Sequence, residues 1–548
     1  MEQPEMAEQP TSAYAYPLLI RQLLTASYAR YSSAEVVYRD SRFTYAQLFE
    51  RVCRLAGGLR GLGVEVGDTV AIMDWDSHRY LECYFAIPMM GAVLMTANVR
   101  LSAEQIAYTL NASGAKVLIV NAEFESLFES VRDRLTNIRE VVHVEDNEVL
   151  GEHAPKGAIG YEALLARAPA SFDFPELDEN ARATTFFTTG TTGNPKGVYF
   201  THRQIVLHTL STAAAFCSAA RQGRMDRDDV YMPMTPMFHV HAWGIPYIAT
   251  FLGMKQVYPG KYSPENLLNL IGRERVTFTH CVATILNMLL NHESARAVDF
   301  SAMKIIVGGG PLPRGLVETA LTRGIDVYGA YGMSETGPFL TLSQIETTDL
   351  DGSSREVELR TRTGRPMPLV DLRVVNDRLS DMPPDGDTIG EVVIRAPWLT
   401  QGYLNDSQSS AALWQGGYLH TNDLGVMHPD GYVQLKDRSK DIIKTGGEWV
   451  SSLALEDLIS CHEAVHEVAV IAVAHAVWGE RPVALVVLKP GAQADEAALK
   501  EHLGQYVQEG QLARMAIPDR ILAVPSLDRT SVGKFDKKLL REKYRLAL

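Results

Sequence analysis

Apolar positions along the chain recur in two rhythms. After Thr44 they fall at helical spacing, at Tyr45, Leu48, Phe49, Val52, Leu55, Ala56 and Leu59, behind a Thr44-x-x-Gln47 pattern that predicts a capping box. The run is expected to end at Gly61 or Gly63. A β-branched segment at 69–73 then opens an alternation in which apolar runs such as 116–120 and 305–307 are separated by helical stretches, and this predicts an α/β arrangement. From about Pro368 the texture changes to short strands with turns, at 372–375 and 390–394, bounded by Pro383-Pro384-Asp385-Gly386, so a β-rich subdomain is expected over about 368–437. Beyond the charged stretch 436–444, a helix near Leu453, apolar strands at 468–473 and 483–488 and a basic tail outline a small α+β unit. The expected division is a large N-terminal domain, residues 1–437, and a small mobile C-terminal domain, residues 438–548, joined at a polar hinge.

Composition narrows the classes. A length of 548 residues with 46 % hydrophobic and 22 % charged positions suits a soluble globular enzyme with a sizeable core. The formal charge of −14 argues against a general binder of nucleic acid or anionic membranes, so any anionic ligand needs a local basic site. Cys53, Cys83, Cys217, Cys281 and Cys461 are scattered and form no CxxC pair, which argues against a disulfide framework or a zinc site and fits a reducing, cytoplasmic setting. Residues 1–11 are acidic and polar, unlike an export signal. The longest uncharged stretch, 83–99, is too short for a membrane span and contains Pro88, Gly91, Thr96 and Asn98; it reads as buried core, with no integral membrane span expected.

The most informative segment is Thr188-Thr-Gly-Thr-Thr-Gly-Asn-Pro-Lys-Gly197, which follows a strand-like run at 183–187. Its glycines let backbone N–H groups approach an anion, its hydroxyls donate to phosphate oxygens, and Lys196 brings charge, so it reads as a polyphosphate cradle. The spacing is not that of a Walker A loop. A second strand-like run leads into Gly308-Gly-Gly-Pro-Leu-Pro313, where missing side chains let a flat ring lie on backbone. Tyr331-Gly-Met-Ser-Glu-Thr-Gly337 follows, with Tyr331 placed to stack on a base and Glu335 suited to magnesium. Asp423 is a candidate for a ribose diol, with a helix cap as the plainer reading. The basic run 436–444 and the tail 534–545 offer counter-charge for phosphates or else solvated helix faces. Lys534 stands apart because the flexible Thr530-Ser-Val-Gly533 precedes it. His239 and His241 sit in an aromatic and apolar segment that suits a pocket wall better than a metal site, since no third ligand shares their spacing.

Together these motifs resemble the adenylate-forming superfamily of acyl-CoA synthetases, peptide-synthetase adenylation domains and beetle luciferases, from roughly Thr44 to Leu540. Thr188 to Gly197 is similar to that family's phosphate loop, Tyr331 to Glu335 to its Tyr-Gly-x-Thr-Glu, Asp437 to Asp441 to its hinge and Thr530 to Lys534 to its catalytic-lysine loop. Asn422 stands where Gly usually precedes the aspartate. The segments 235–247 and 444–451 look most like medium- and long-chain fatty acyl-CoA synthetases.

The resemblance implies ATP, Mg²⁺ and coenzyme A acting on a small-molecule carboxylic acid, and a homodimer. It assigns catalysis to Lys534, Glu335 and His239, and metal binding to Thr188 and Glu335. It assigns ATP to Thr188, Thr189, Gly190, Thr191, Thr192, Gly193, Lys196, Gly309, Gly310, Gly329, Ala330, Tyr331, Ser334, Asp423, Arg438, Lys440, Lys444 and Trp449. The acyl group goes to Val240, Trp243 and Gly308, with Trp243 gating its tunnel, and coenzyme A to Gly446 and Gly447. Alternatives are a ligase for a short or methylthio-alkanoic acid, a luciferase-like adenylating monooxygenase, and a silent nucleotide-binding protein.

Overall fold

The computed structural model describes residues 13–145, 158–188, 194–446, 448–530 and 534–546. Two sheets built mainly of parallel strands form the body of the N-terminal region. In the first, the order is Ile159–Gly160, Glu140–Val144, Ala115–Asn121, Thr69–Met73, Val93–Thr96, Arg182–Thr188 and Lys196–Thr201, with the last strand antiparallel. The second has six parallel strands at its centre, Glu35–Tyr38, Lys255–Tyr258, Val230–Pro233, Phe278–Cys281, Lys304–Val307 and Asp326–Gly332. Antiparallel strands Ser41–Thr44 on one side and Phe339–Leu342, followed by Arg365–Pro366, on the other flank them, for nine strands in all. Thr69–Met73 is buried at every position, the pattern of a strand covered on both faces, which explains why such runs read as continuous rather than alternating in the sequence.

Helices close the sheets. Tyr45–Gly61 carries the expected capping box: the Thr44 side chain accepts from Gln47 N–H and the Gln47 side chain reaches back to Thr44 N–H. The apolar stretch 83–99 is buried core, split between helix His78–Met89 and strand Val93–Thr96. Among the described residues no helix is long and apolar enough to cross a membrane. One large apolar cluster joins the two sheets, and a second lies beneath the helices of the nine-stranded one.

The β-rich region is a third sheet of Asp371–Val375, Gly390–Arg395, Trp414–Gln415, Tyr418–Met427 and Val433–Arg438. A fourth sheet holds Ile443–Thr445, Glu448–Val450, Val465–His475, Gly479–Leu488 and Arg520–Ala523, with separate apolar clusters on its two faces. Sheet membership therefore changes within residues 439–442. The charged run 436–444 is strand and turn here, not a helix face, whereas the tail does fold as helix Lys537–Tyr544.

Candidate active site

The site forms where parallel strands of the nine-stranded sheet end. Lys304–Val307 and Asp326–Gly332 are neighbours, with Val307 opposite Gly329, so Gly308, Gly309 and Gly310 and the segment Gly329, Ala330 and Tyr331 leave the sheet side by side at its carboxyl edge. Two of these glycines answer to close approach. A Cβ at Gly329 would lie 2.8 Å from the Arg362 carbonyl oxygen, and one at Gly308 would meet the Ala330 carbonyl oxygen at 3.0 Å and the Trp243 ring at 3.1 Å.

Tyr331 and Asp423 come together from different sheets. The Tyr331 hydroxyl donates to Asp423 Oδ2 at 2.7 Å, and Arg438 Nε pairs with Asp423 Oδ1 at 3.3 Å. Asp423 belongs to strand Tyr418–Met427, opposite Arg438, rather than capping a helix. Asn422, at the position where Gly is usual in the family, adopts φ 58°, a left-handed conformation open to Asn as well as Gly.

Lys534 reaches this cleft from the C-terminal domain. It lies over Gly309, where an added Cβ would be 3.1 Å from Lys534 Cε. Burial pushes its ammonium down to about 8; Arg438 adds repulsion, while Asp423 and Glu335 draw the other way. His239 is pushed down to about 3 by burial, with Lys534 and Arg100 adding to the effect, and is a neutral imidazole at ordinary pH.

Glu335 lies in the short helical turn Ser334–Thr336, buried, and its carboxyl is pushed up by desolvation. The Tyr403 hydroxyl opposes that shift by donating to Glu335 Oε1 at 2.7 Å. Lys196 Nζ stands 4.8 Å over the Tyr403 ring and donates to Ser409 Oγ at 2.7 Å. Thr188, paired with Lys196 in the ladder, donates its hydroxyl to the Lys196 carbonyl oxygen at 3.4 Å. One brace thus runs from the phosphate-loop strands to the buried carboxylate. Thr189, Gly190, Thr191, Thr192 and Gly193 lie outside the described residues, as do Gly447 and residues 531–533.

Trp243 fills the space against Gly308. Its ring lies 4.9 Å from the His280 ring and 5.9 Å, edge to face, from Phe339. Val240, His241, Ala242 and Trp243 all have φ between 47° and 59°, a left-handed turn without glycine until Gly244. Such a conformation costs about 1–2 kcal/mol per residue and marks a backbone held for its position. His241 is buried, with its ring packed on Tyr84 and Phe186, and no group of three or more metal-ligating side chains occurs among the described residues.

Lys444, Gly446 and Trp449 are held within the C-terminal sheet. Lys444 donates its backbone N–H to Glu480, Gly446 lies under the Trp478 ring, and Trp449 pairs with Lys444 and is 48 % exposed. Lys440 is exposed in the turn between the third and fourth sheets. At that junction the buried Asp437 carboxylate accepts from Ser452 N–H at 2.7 Å and Ser452 Oγ at 2.6 Å, and Lys537 bridges Ser452 Oγ and Glu456. Tyr403, which binds Glu335, and Phe339 and His280, which pack on Trp243, were not singled out by the sequence.

Residues 24–404 match the AMP-binding enzyme family and residues 454–534 the AMP-binding enzyme C-terminal domain. The chain is similar to the long-chain-fatty-acid–CoA ligase of Thermus thermophilus, at 38 % identity over 100 % of this chain and 99 % of the relative. It is 34 % identical to the 3-methylmercaptopropionyl-CoA ligase of Ruegeria pomeroyi over 96 % and 98 % of the two chains. The medium-chain-fatty-acid–CoA ligase of Ectopseudomonas oleovorans is 33 % identical over 93 % and 92 %. Among solved structures, the anthranilate CoA ligase AuaEII in complex with anthranoyl-AMP shares the fold with a TM-score of 0.86 at 23 % identity, covering 97 % of this chain and 98 % of that one.

Proposed function

The chain belongs to the AMP-binding enzyme family, and from that premise we propose that it is an AMP-forming acid–thiol ligase that makes an acyl-CoA from a medium- or long-chain fatty acid. The observation that carries the reading is Lys534, delivered from the C-terminal domain over Gly309 and facing Asp423 and Glu335.

In the first half-reaction an oxygen of the acid carboxylate bonds to the α-phosphorus of ATP as the bond to pyrophosphate breaks, giving an acyl-adenylate. Attack of an anion on a polyanion needs positive charge at the phosphorus; Lys534 supplies it from a buried setting that strengthens the interaction, and Arg438 from a half-exposed one. Asp423, held by Tyr331 and Arg438, is the acceptor for the ribose hydroxyls. The donor set of Glu335 and Thr188 is hard oxygen and fits magnesium, for which a buried carboxylate braced by Tyr403 is a suitable ligand. The ion would there neutralise phosphate charge. In the second half-reaction the coenzyme A sulfur, having lost its proton, attacks the acyl carbon and AMP departs. Rotation about residues 437–440 withdraws Lys534 and admits the thiol. Neutral His239 and the Trp243 wall border the acid.

A second reading, a short or methylthio-alkanoic acid, is favoured by the packing of Trp243 between Gly308, His280 and Phe339, which leaves an aromatic wall where a long chain needs a channel. The test is a panel of carboxylic acids from three to eighteen carbons, aromatic acids included, scored by coenzyme A-dependent AMP formation. The expected result is AMP release that requires coenzyme A. Oxygen consumption or light without coenzyme A would point to the monooxygenase reading instead, and no AMP with any acid to a silent nucleotide-binding protein.

A further inference from the structure

His280 is the next-to-last residue of strand Phe278–Cys281, which pairs with Lys304–Val307, and its fully buried ring lies against Trp243. Its Nε2 is 2.9 Å from the Tyr231 hydroxyl, and its Nδ1 has no hydrogen-bond partner among the described residues.

The tautomer follows from counting protons. The phenol of Tyr231 has one hydrogen, and His280 Nε2 is the partner described for it. If Tyr231 donates, Nε2 accepts and the imidazole proton sits on Nδ1, leaving one buried donor to satisfy. If instead Nε2–H donated, both the phenolic hydrogen and the Nδ1 lone pair would be stranded. The first arrangement leaves the fewest buried polar groups unmet, so His280 presents an N–H beside Trp243. Burial holds the ring pKa down to about 3, so the imidazole is neutral.

We propose that His280 selects the acid: its Nδ1–H donates a hydrogen bond to an oxygen or nitrogen acceptor on the tail of a compact carboxylic acid bound beside Trp243 and Gly308. This rests on the ligase reading in its short-acid form and gives that acid a keto, ether or heteroaromatic tail in place of a plain alkyl one. Phe339 packs edge to face on Trp243 and is backed by Phe216. Tyr231 acts through His280 by fixing its tautomer and is a positioning residue.

The test compares isosteric pairs on the full-length protein: 3-ethoxypropanoate against hexanoate, 4-oxopentanoate against 4-methylpentanoate, and 4-methoxybenzoate against 4-ethylbenzoate, by kcat/KM for coenzyme A-dependent AMP formation. The acceptor-bearing acid of each pair is expected to lead by about tenfold, the worth of one neutral hydrogen bond made in a buried site. In His280→Phe the ratio within each pair should fall to about unity, whatever the absolute rates. The double variant Tyr231→Phe/His280→Phe removes both partners together and guards against misfolding from a stranded phenol; it should show the same loss. Tyr231→Phe alone frees the tautomer and should reduce the lead while moving the His280 ring nitrogen shifts in ¹⁵N NMR. Turnover with no lead in the wild type, or a lead that survives in both His280 variants, would overturn the assignment alone. AMP formation from no acid would overturn the ligase reading and this inference with it.

Discussion

Lys534 shows how much one side chain is altered by its surroundings. With its pKa pushed down to about 8, it loses its charge a little above neutrality in the free protein, whereas an unfolded chain would hold the proton to about 10.5. The adenylation rate should therefore fall above pH 8, seen as a descending limb in kcat/KM for ATP, while the folded state gains relative stability between about pH 8 and 10.5, where the unfolded chain binds more protons. Lys534→Ala is expected to abolish pyrophosphate exchange and to spare thioester formation from supplied acyl-adenylate; equal loss of both would refute the division of labour. Tyr403→Phe removes the donor to a buried carboxylate, a bond to a charged group worth about 1.5–3 kcal/mol, so the Mn²⁺ affinity of the ATP complex, read by EPR, should weaken by at least tenfold. Lys534, Glu335, Tyr331 and Asp423 could be singled out from short motifs, although Asp423 read more plainly as a helix cap, and the structure gathers them around one cleft. Tyr403 and His280 were not, because their partners Glu335 and Tyr231 lie 68 and 49 positions away and a single tyrosine or histidine leaves no local pattern.

At the level of elements, periodicity was informative where one face or both faces of a segment are apolar. The helix behind Thr44 and the runs at 69–73, 116–120 and 305–307 all lie within elements of the expected type. Charge was a poor guide to the element: 436–444 reads as a helix face or as counter-charge for phosphates but is a strand and turn, with Arg438 paired to Asp423 while Arg438, Lys440 and Lys444 stay exposed. The left-handed turn at Val240–Trp243 could not be read at all, since no glycine announces it before Gly244. Its position fixes Trp243 against the Gly308 strand end, and a methyl group there would press on the Ala330 carbonyl oxygen and the Trp243 ring, which must give by a few tenths of an ångström. Gly308→Ala should lower kcat/KM for the acid about tenfold or more, in line with overpacking costs of about 1–3 kcal/mol, and leave the KM for ATP nearly unchanged in steady-state kinetics. A parallel loss for both substrates would mean that the strand end itself had shifted.

For the molecule as a whole, the α/β body, the β-rich sheet and the separate α+β unit correspond to the changes of texture along the sequence, because each change of period reports a change in how faces are buried. The mutual placement of the units was not legible, since it rests on a few polar contacts such as Asp437 with Ser452 rather than on a shared apolar core. The fourth sheet keeps its own apolar clusters on both faces. Cleavage engineered into 439–442 should therefore yield two pieces that each melt cooperatively in calorimetry, while pyrophosphate exchange drops and recovers only as the smaller piece is raised toward the millimolar range that a short linker supplies. Such a self-contained carrier makes the lysine a portable cassette: its reactivity depends on being leashed to the right cleft, so a carrier borrowed from another ligase could restore the first half-reaction without knowing anything of the acid.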